Sequence, residues 1–143
     1  MKLLLAVDGS ECSVRVAQKV VAHINDFKQP PDIELFAVHL PVPHVPHMGI
    51  VVKKEMLDRY YAEECEAMLA PVRKILDSAG VKYAVKTCVG PVAECIVKEA
   101  RELGCDYLFM GTHGRTPLAN MVHGSVVTRV LHLIHDVPVV LVH

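Results

Sequence analysis

Four residues late in the chain have the type and spacing to hold an anion. Gly111 and Gly114 stand with two residues between them, and Gly124–Ser125 follows after nine more. A glycine lets backbone amides approach an anion with no Cβ in the way. A helix start adds amides without partners and the positive end of the helix dipole. If Gly124 opens a helix, Ser125 and the amides of Val126 and Val127 are placed to hold phosphate oxygens, and Arg115 adds a positive charge. The plainer alternative is that the glycines only permit tight turns. Other phosphate motifs are absent: there is no G-x-x-x-x-G-K-[ST], and no G-x-G-x-x-G follows the first predicted strand.

For such a site, a strand must end at Gly111 and a helix must begin after Gly124. The apolar pattern predicts both. Leu3–Val7 is a short continuous apolar run, suited to a parallel strand buried on both faces. From Glu11 to about Asp26 the period turns helical through Val14, Ala17, Val20, Val21 and Ile24, with Ser10 as N-cap. Ile33–Leu40 reads as a second strand, and residues 41–49, with three prolines and two histidines, as an irregular loop. A long helix follows over Lys53–Ala79, which Pro71 should kink or split and Gly80 should stop. Val81–Val89 alternates like an edge strand, and Gly90–Pro91 opens a third helix that Gly104 ends. Cys105–Met110 is a strand, Gly111–Gly124 a loop, Ser125–His135 a helix with Val126, Val127, Val130, Leu131 and Ile134 inward, and Val137–Val142 the last strand. Strands alternating with helices imply parallel pairing with right-handed crossovers, hence an α/β doubly wound sheet with helices on both faces.

Composition fits one such domain over residues 1–143. Hydrophobic residues make up 52% and charged residues 22%, which excludes a disordered chain. Fifteen Lys and Arg against sixteen Asp and Glu leave a net charge of -1, so no nucleic-acid partner is expected. No apolar run is long enough to span a bilayer, and the short stretch after Met1 does not resemble a signal peptide; no membrane partner and a cytoplasmic location are expected. The five cysteines are odd in number and lack a C-x-x-C, which suits a reducing compartment and a packing role.

Ligands of open α/β sheets bind beyond the carboxyl ends of the strands. Asp8 follows the first strand, where it contacts a ligand or merely caps the turn. His113 follows the fourth, as a site residue or a solvated loop histidine. His39 reads as a satisfied strand histidine. The pair His44/His47 lacks a third ligand, His132/His135 suits the dipole at a helix C-terminus, and no protein metal site is expected.

The segments V-D-G-S after the first strand, V-H-L ending the second, and M-G-T-H-G-R with G-S-V beyond it resemble a universal stress protein across essentially the whole chain. The G-2x-G-9x-G-[ST] spacing is similar to the ATP-binding signature of that family's nucleotide-binding branch. The resemblance implies a five-stranded parallel sheet in the order 3-2-1-4-5 and a homodimer. It places Asp8 beside the nucleotide, with Ala6 two residues before it where some members carry proline. Leu40 matches the position whose backbone reads the adenine edge. Met110, Gly111, His113 and Gly114 match the loop around ribose and phosphate, and Gly124, Ser125 and Val126 the phosphate-holding helix start. In that strand order Val137–Val142 is an uncovered apolar edge. Residues 111–143 carry only three formal charges, Arg115, Arg129 and Asp136, so Val139–Val142 is expected to pair with its copy across a two-fold axis. The function expected is a cytosolic stress-response module holding ATP, or ADP or AMP, with Mg²⁺ carried on the phosphates. No catalytic residue is assigned. A slow ATPase or nucleotidyl-transfer enzyme, and an interaction protein with a vestigial site, are the alternatives.

Overall fold

The computed structural model describes residues 1–43, 52–115 and 123–143. Consecutive residues of a strand point to opposite faces of its sheet. Leu3, Leu4 and Leu5 are all wholly buried, so the first strand must be covered on both sides. It is β1, Lys2–Val7, at the centre of a five-stranded sheet. The other strands are β2 (Asp32–His39), β3 (Ala84–Val89), β4 (Tyr107–Gly111) and β5 (Val139–Val142). The order is β3-β2-β1-β4-β5 and every pair is parallel, as expected.

The helices are α1 (Glu11–Ala22), α2 (Lys54–Ser78), α3 (Val92–Leu103) and α4 (Ser125–Leu133). On one face Leu3, Leu5 and Val7 pack under α1 and α2, with Val16, Val20, Leu69 and Val72. On the other Leu4 and Ala6 pack under α3 and α4, with Ile96, Ala100, Val127 and Val130.

Several boundaries depart from the sequence reading. Ser10 caps α1, its hydroxyl accepting from the Ser13 amide at 3.3 Å. The helix stops at Ala22, and Ile24–Asp26 forms a separate 3-10 turn in which His23 Nδ1 lies 2.7 Å from Asp26. Its buried face is Cys12, Ser13, Val16, Ala17 and Val20, so Val14 lies off it. Pro71 does not split α2. Proline deprives the Ala67 carbonyl, four residues back, of its partner. Both residues are exposed, so water can take that place. The strand β3 begins at Ala84 rather than Val81, because the Val81 amide is committed to the Leu76 carbonyl at the helix end. Likewise Cys105 bonds back to Ala100, and β4 starts at Tyr107. The helix α4 ends at Leu133, and Leu131, expected inward, is 40% exposed. His44 and His47 of the proline-rich loop, and Thr116–Pro117, lie outside the described residues.

Candidate functional site

The turn from β1 to α1 is built around Asp8. Its Oδ1 accepts from the Ser10 amide at 2.9 Å and from the Ser13 hydroxyl at 2.7 Å. The Asp8 amide in turn donates to Ser13 Oγ at 3.1 Å. Between them Gly9 sits at φ +80°, where side chains are strained, and a Cβ there would meet the Met68 backbone at 3.2 Å. Capping therefore occupies one carboxylate oxygen of Asp8. The other, Oδ2, faces Gly114, where an added Cβ would stand 3.0 Å away.

At the end of β2, His39 Nδ1 lies 2.6 Å from the Leu40 carbonyl. A carbonyl only accepts, so Nδ1 carries the proton. The ring packs against both Tyr60 and Tyr61, with centroids 5.6 and 5.3 Å away, and its Nε2 is 3.8 Å from Glu64. The chain leaving β2 is fastened by the Val42 amide, which donates to the Tyr61 hydroxyl at 2.8 Å. Part of the backbone capacity expected of Leu40 is thus taken by its neighbour.

At the end of β4, the Thr112 amide donates to the Val142 carbonyl at 2.9 Å. Thr112 Oγ1 lies 3.0 Å from the Nδ1 atoms of both His113 and His143. The Gly124 amide donates to the Thr112 carbonyl at 2.8 Å, which folds the start of α4 back over this loop. Helix geometry leaves the Ser125, Val126 and Val127 amides with no carbonyl one turn back. Among the described residues no side chain caps α4. It is held against α3 by Arg129, whose guanidinium reaches Glu94 at 3.0 Å. Backbone hydrogen bonding, reinforced by Arg129, holds the Glu94 carboxyl below the usual range.

These three strand ends and the start of α4 enclose one cavity of about 380 Å³. That is within the range of small-molecule sites. All twelve residues expected from the sequence line it: Ala6 and Asp8 from the β1 end, Leu40 after β2, Met110, Gly111, His113, Gly114 and Arg115 along the β4 end, and Gly124, Ser125, Val126 and Val127 at α4. The sequence reading missed its apolar wall. Phe36 and Val38 of β2, Met68 of α2, and Val92 and Ile96 of α3 line it, as do Val7, Ser13 and His39. Alternation along β2 puts Phe36 and Val38 on one face, a signal that was available; the approach of α3 to that face was not.

The glycines divide by role. A Cβ on Gly111 would collide with the Cβ and backbone of Cys12 in α1, so this glycine admits the helix. Among the described residues, its chain neighbours aside, a Cβ on Gly124 would come no nearer than 3.5 Å to any atom, and its φ of -64° suits any residue. Packing among those residues gives no reason for glycine there. The arrangement has the chemistry to take an anion at α4, hydroxyl donors at Asp8 Oδ2, and a flat apolar group against Phe36, Val38 and Ile96. Among the described residues Asp8 is the only carboxylate lining the cavity. No group of three His, Cys, Asp or Glu able to hold a metal occurs among the described residues.

Comparison with known proteins agrees with this architecture. A universal stress protein of Methanocaldococcus jannaschii, MJ0531, is 30% identical over 136 residues, 94% of this chain and 77% of the relative. The solved structure of MJ0577 from the same organism superposes with a TM-score of 0.77 at 26% identity, covering 99% of this chain and 94% of that one. A universal stress protein from Archaeoglobus fulgidus, solved in complex with dAMP, shares the fold with a TM-score of 0.64 at 20% identity, over 100% and 98% of the two chains. The family model described as the universal stress protein family matches residues 1–143, and the chain belongs to that family.

Proposed function

We propose that the protein is a stress-response module that binds an adenine nucleotide, with ATP as its ligand. The observation that carries this reading is the facing of α4's start and the Gly111–Arg115 loop across a cavity with an apolar wall. The Ser125, Val126 and Val127 amides would take phosphate oxygens, helped by the dipole and by Arg115. Asp8 Oδ2 suits ribose hydroxyls, because an ionised carboxylate accepts but does not donate. The base would lie against Phe36, Val38 and Ile96, with its edge toward the backbone at Leu40. The dAMP complex of the A. fulgidus protein is a precedent for an adenine nucleotide in this fold. Since Asp8 stands alone, Mg²⁺ would arrive on the phosphates rather than on a protein site.

Binding rather than turnover is the proposed activity. Phosphoryl transfer needs a positioned base and a cation on the transferring group. Asp8 is half engaged in capping, and no second carboxylate lines the cavity. The five cysteines are all free, which supports the cytoplasm as the compartment. The edge position of β5 and its apolar residues support a homodimer through Val139–Val142. An apolar hollow bordered by Val20, Phe27, Phe109, Val140 and Leu141 lies beside that edge.

The test is native mass spectrometry of the purified chain with ATP, ADP and AMP in competition. One ATP per chain is expected, in preference to the others. Retention of none of the three would refute the reading. ATP hydrolysis above about 1 s⁻¹, a tenth of the usual enzyme median, abolished by Asp8→Asn, would replace it with the ATPase alternative.

A further inference from the structure

Of the five cysteines, Cys12, Cys65 and Cys105 are buried, while Cys88 and Cys95 are half-buried. The latter two lie seven positions apart in the chain, Cys88 on β3 and Cys95 in the first turn of α3. Their sulfurs are 3.2 Å apart. A disulfide bond is about 2.05 Å long, so closure asks an approach of about 1.2 Å. The fold makes room for this contact. A Cβ on Gly90, in the turn between the two elements, would stand 2.8 Å from the Cys95 sulfur, so the bare backbone there lets that thiol reach Cys88. Among the described residues no other two thiols touch.

We propose that Cys88 and Cys95 are a reversible redox site whose oxidant is a small hydroperoxide. Partial burial of both sulfurs favours such an oxidant over a bulky one. The roles within the pair follow from their surroundings. Burial, then the hydrogen bond with Cys88, raises the Cys95 thiol above its ordinary value. Only a thiolate attacks a peroxide. Within the proposal Cys88 is assigned as the nucleophile and Cys95 as the resolving residue, an assignment that the trapping experiment below decides. Cys88 releases its proton, its sulfur bonds to one peroxide oxygen, and the O–O bond breaks. The departing oxygen takes up a proton and leaves as water or an alcohol. The Cys95 sulfur then attacks Cys88, the S–O bond breaks, and the hydroxyl leaves as water with the Cys95 proton. In sum two thiols and one hydroperoxide give one disulfide, one water and one further water or alcohol. The thiols lose two electrons and the peroxide gains them.

The experiment treats the full chain with graded hydrogen peroxide, quenches it by alkylation and maps the peptides by mass. Met56, 63% exposed, serves as the internal gauge of oxidation. The expected result is a Cys88–Cys95 crosslink within one chain, formed before Met56 is oxidised and reversed by dithiothreitol. In Cys95→Ser, dimedone should trap a sulfenic acid at Cys88; in Cys88→Ser, none should form at Cys95. Full alkylation of both thiols while Met56 is already the sulfoxide would overturn the site. So would a crosslink that joins two chains or another cysteine. Dimedone on Cys95 rather than Cys88 would overturn the assigned roles. The wild-type map decides the proposal even if a serine variant fails to fold.

Discussion

Two glycines of one motif should fail in opposite ways when each is given a single methyl group. At Gly111 the new Cβ meets Cys12 in α1, against its Cβ and backbone rather than a flexible side-chain end. Neither element can move freely, since β4 is paired with β1 and β5 and α1 is buried along Val16, Ala17 and Val20. Overpacking of this kind costs about 1–3 kcal/mol, which lowers the melting temperature of a chain this size by roughly 3–12 °C. At Gly124 the same methyl group would make only ordinary contacts among the described residues, the nearest at 3.5 Å, on an ordinary backbone. Alanine is a poorer N-cap than glycine, and the loss is offset by reduced freedom of the unfolded chain, each term being about 0.5 kcal/mol. Stability should therefore be nearly unchanged. The methyl group would point toward Thr112, His113 and Gly114, into the gap where phosphates are proposed to lie. Affinity for ATP should fall at least tenfold, about 1.4 kcal/mol. Calorimetric unfolding and ATP titration of Gly111→Ala and Gly124→Ala read both effects. A Gly124→Ala protein that binds ATP as tightly as the parent refutes the phosphate assignment. A Gly111→Ala protein as stable as the parent refutes the packing argument.

The edge strand and one buried carboxyl pair give two further expectations. Val140→Lys or Leu141→Asp should yield monomer or insoluble protein, because an unpaired charge in a buried interface costs several kcal/mol; a wild-type monomer by light scattering at micromolar concentration would refute the pairing. Glu34 on β2 is raised above 4.5, first by burial and then by the nearby Glu99 carboxyl, with which it shares a hydrogen bond, while Lys86 opposes the shift. Lys86 is itself bound to Glu99 at 2.6 Å, and one Glu34 oxygen is buried without a partner. A raised carboxyl pKa means that the folded state holds its proton longer than the unfolded one. Its stabilising contribution is complete below about pH 4.5 and is lost as pH rises through the folded value. Glu34→Gln should flatten that decline, so urea midpoints of variant and parent should diverge as pH rises through this window and stay apart above it; curves that are parallel throughout would contradict it.

Much of the architecture was legible because apolar periodicity is a local property. The unbroken run Leu3–Val7 announced a strand covered on both faces, and Ser10 announced the start of α1. The spacing Gly111, Gly114, Gly124–Ser125 pointed to the cavity because its residues stand at a strand end and a helix start. The residues that misled did so where a distant partner decides the outcome. Pro71 lies on the solvent side of α2, so the helix runs through it. His39 is the satisfied strand histidine that the sequence suggested, but only the fold sets it against Tyr60 and Tyr61 of α2 at the cavity rim. Periodicity cannot say that Gly111 is bare for Cys12 while Gly124 is bare toward the loop. Nor can it bring Cys88 to Cys95, which the sequence presents only as two small packing residues. By itself the sequence determined the order of the elements and the end of the sheet where a ligand would bind, because both depend on residues close together in the chain. Only the tertiary structure decided which side chains meet across the crossovers, because that depends on how each helix lies against a sheet whose neighbouring strands are remote in sequence.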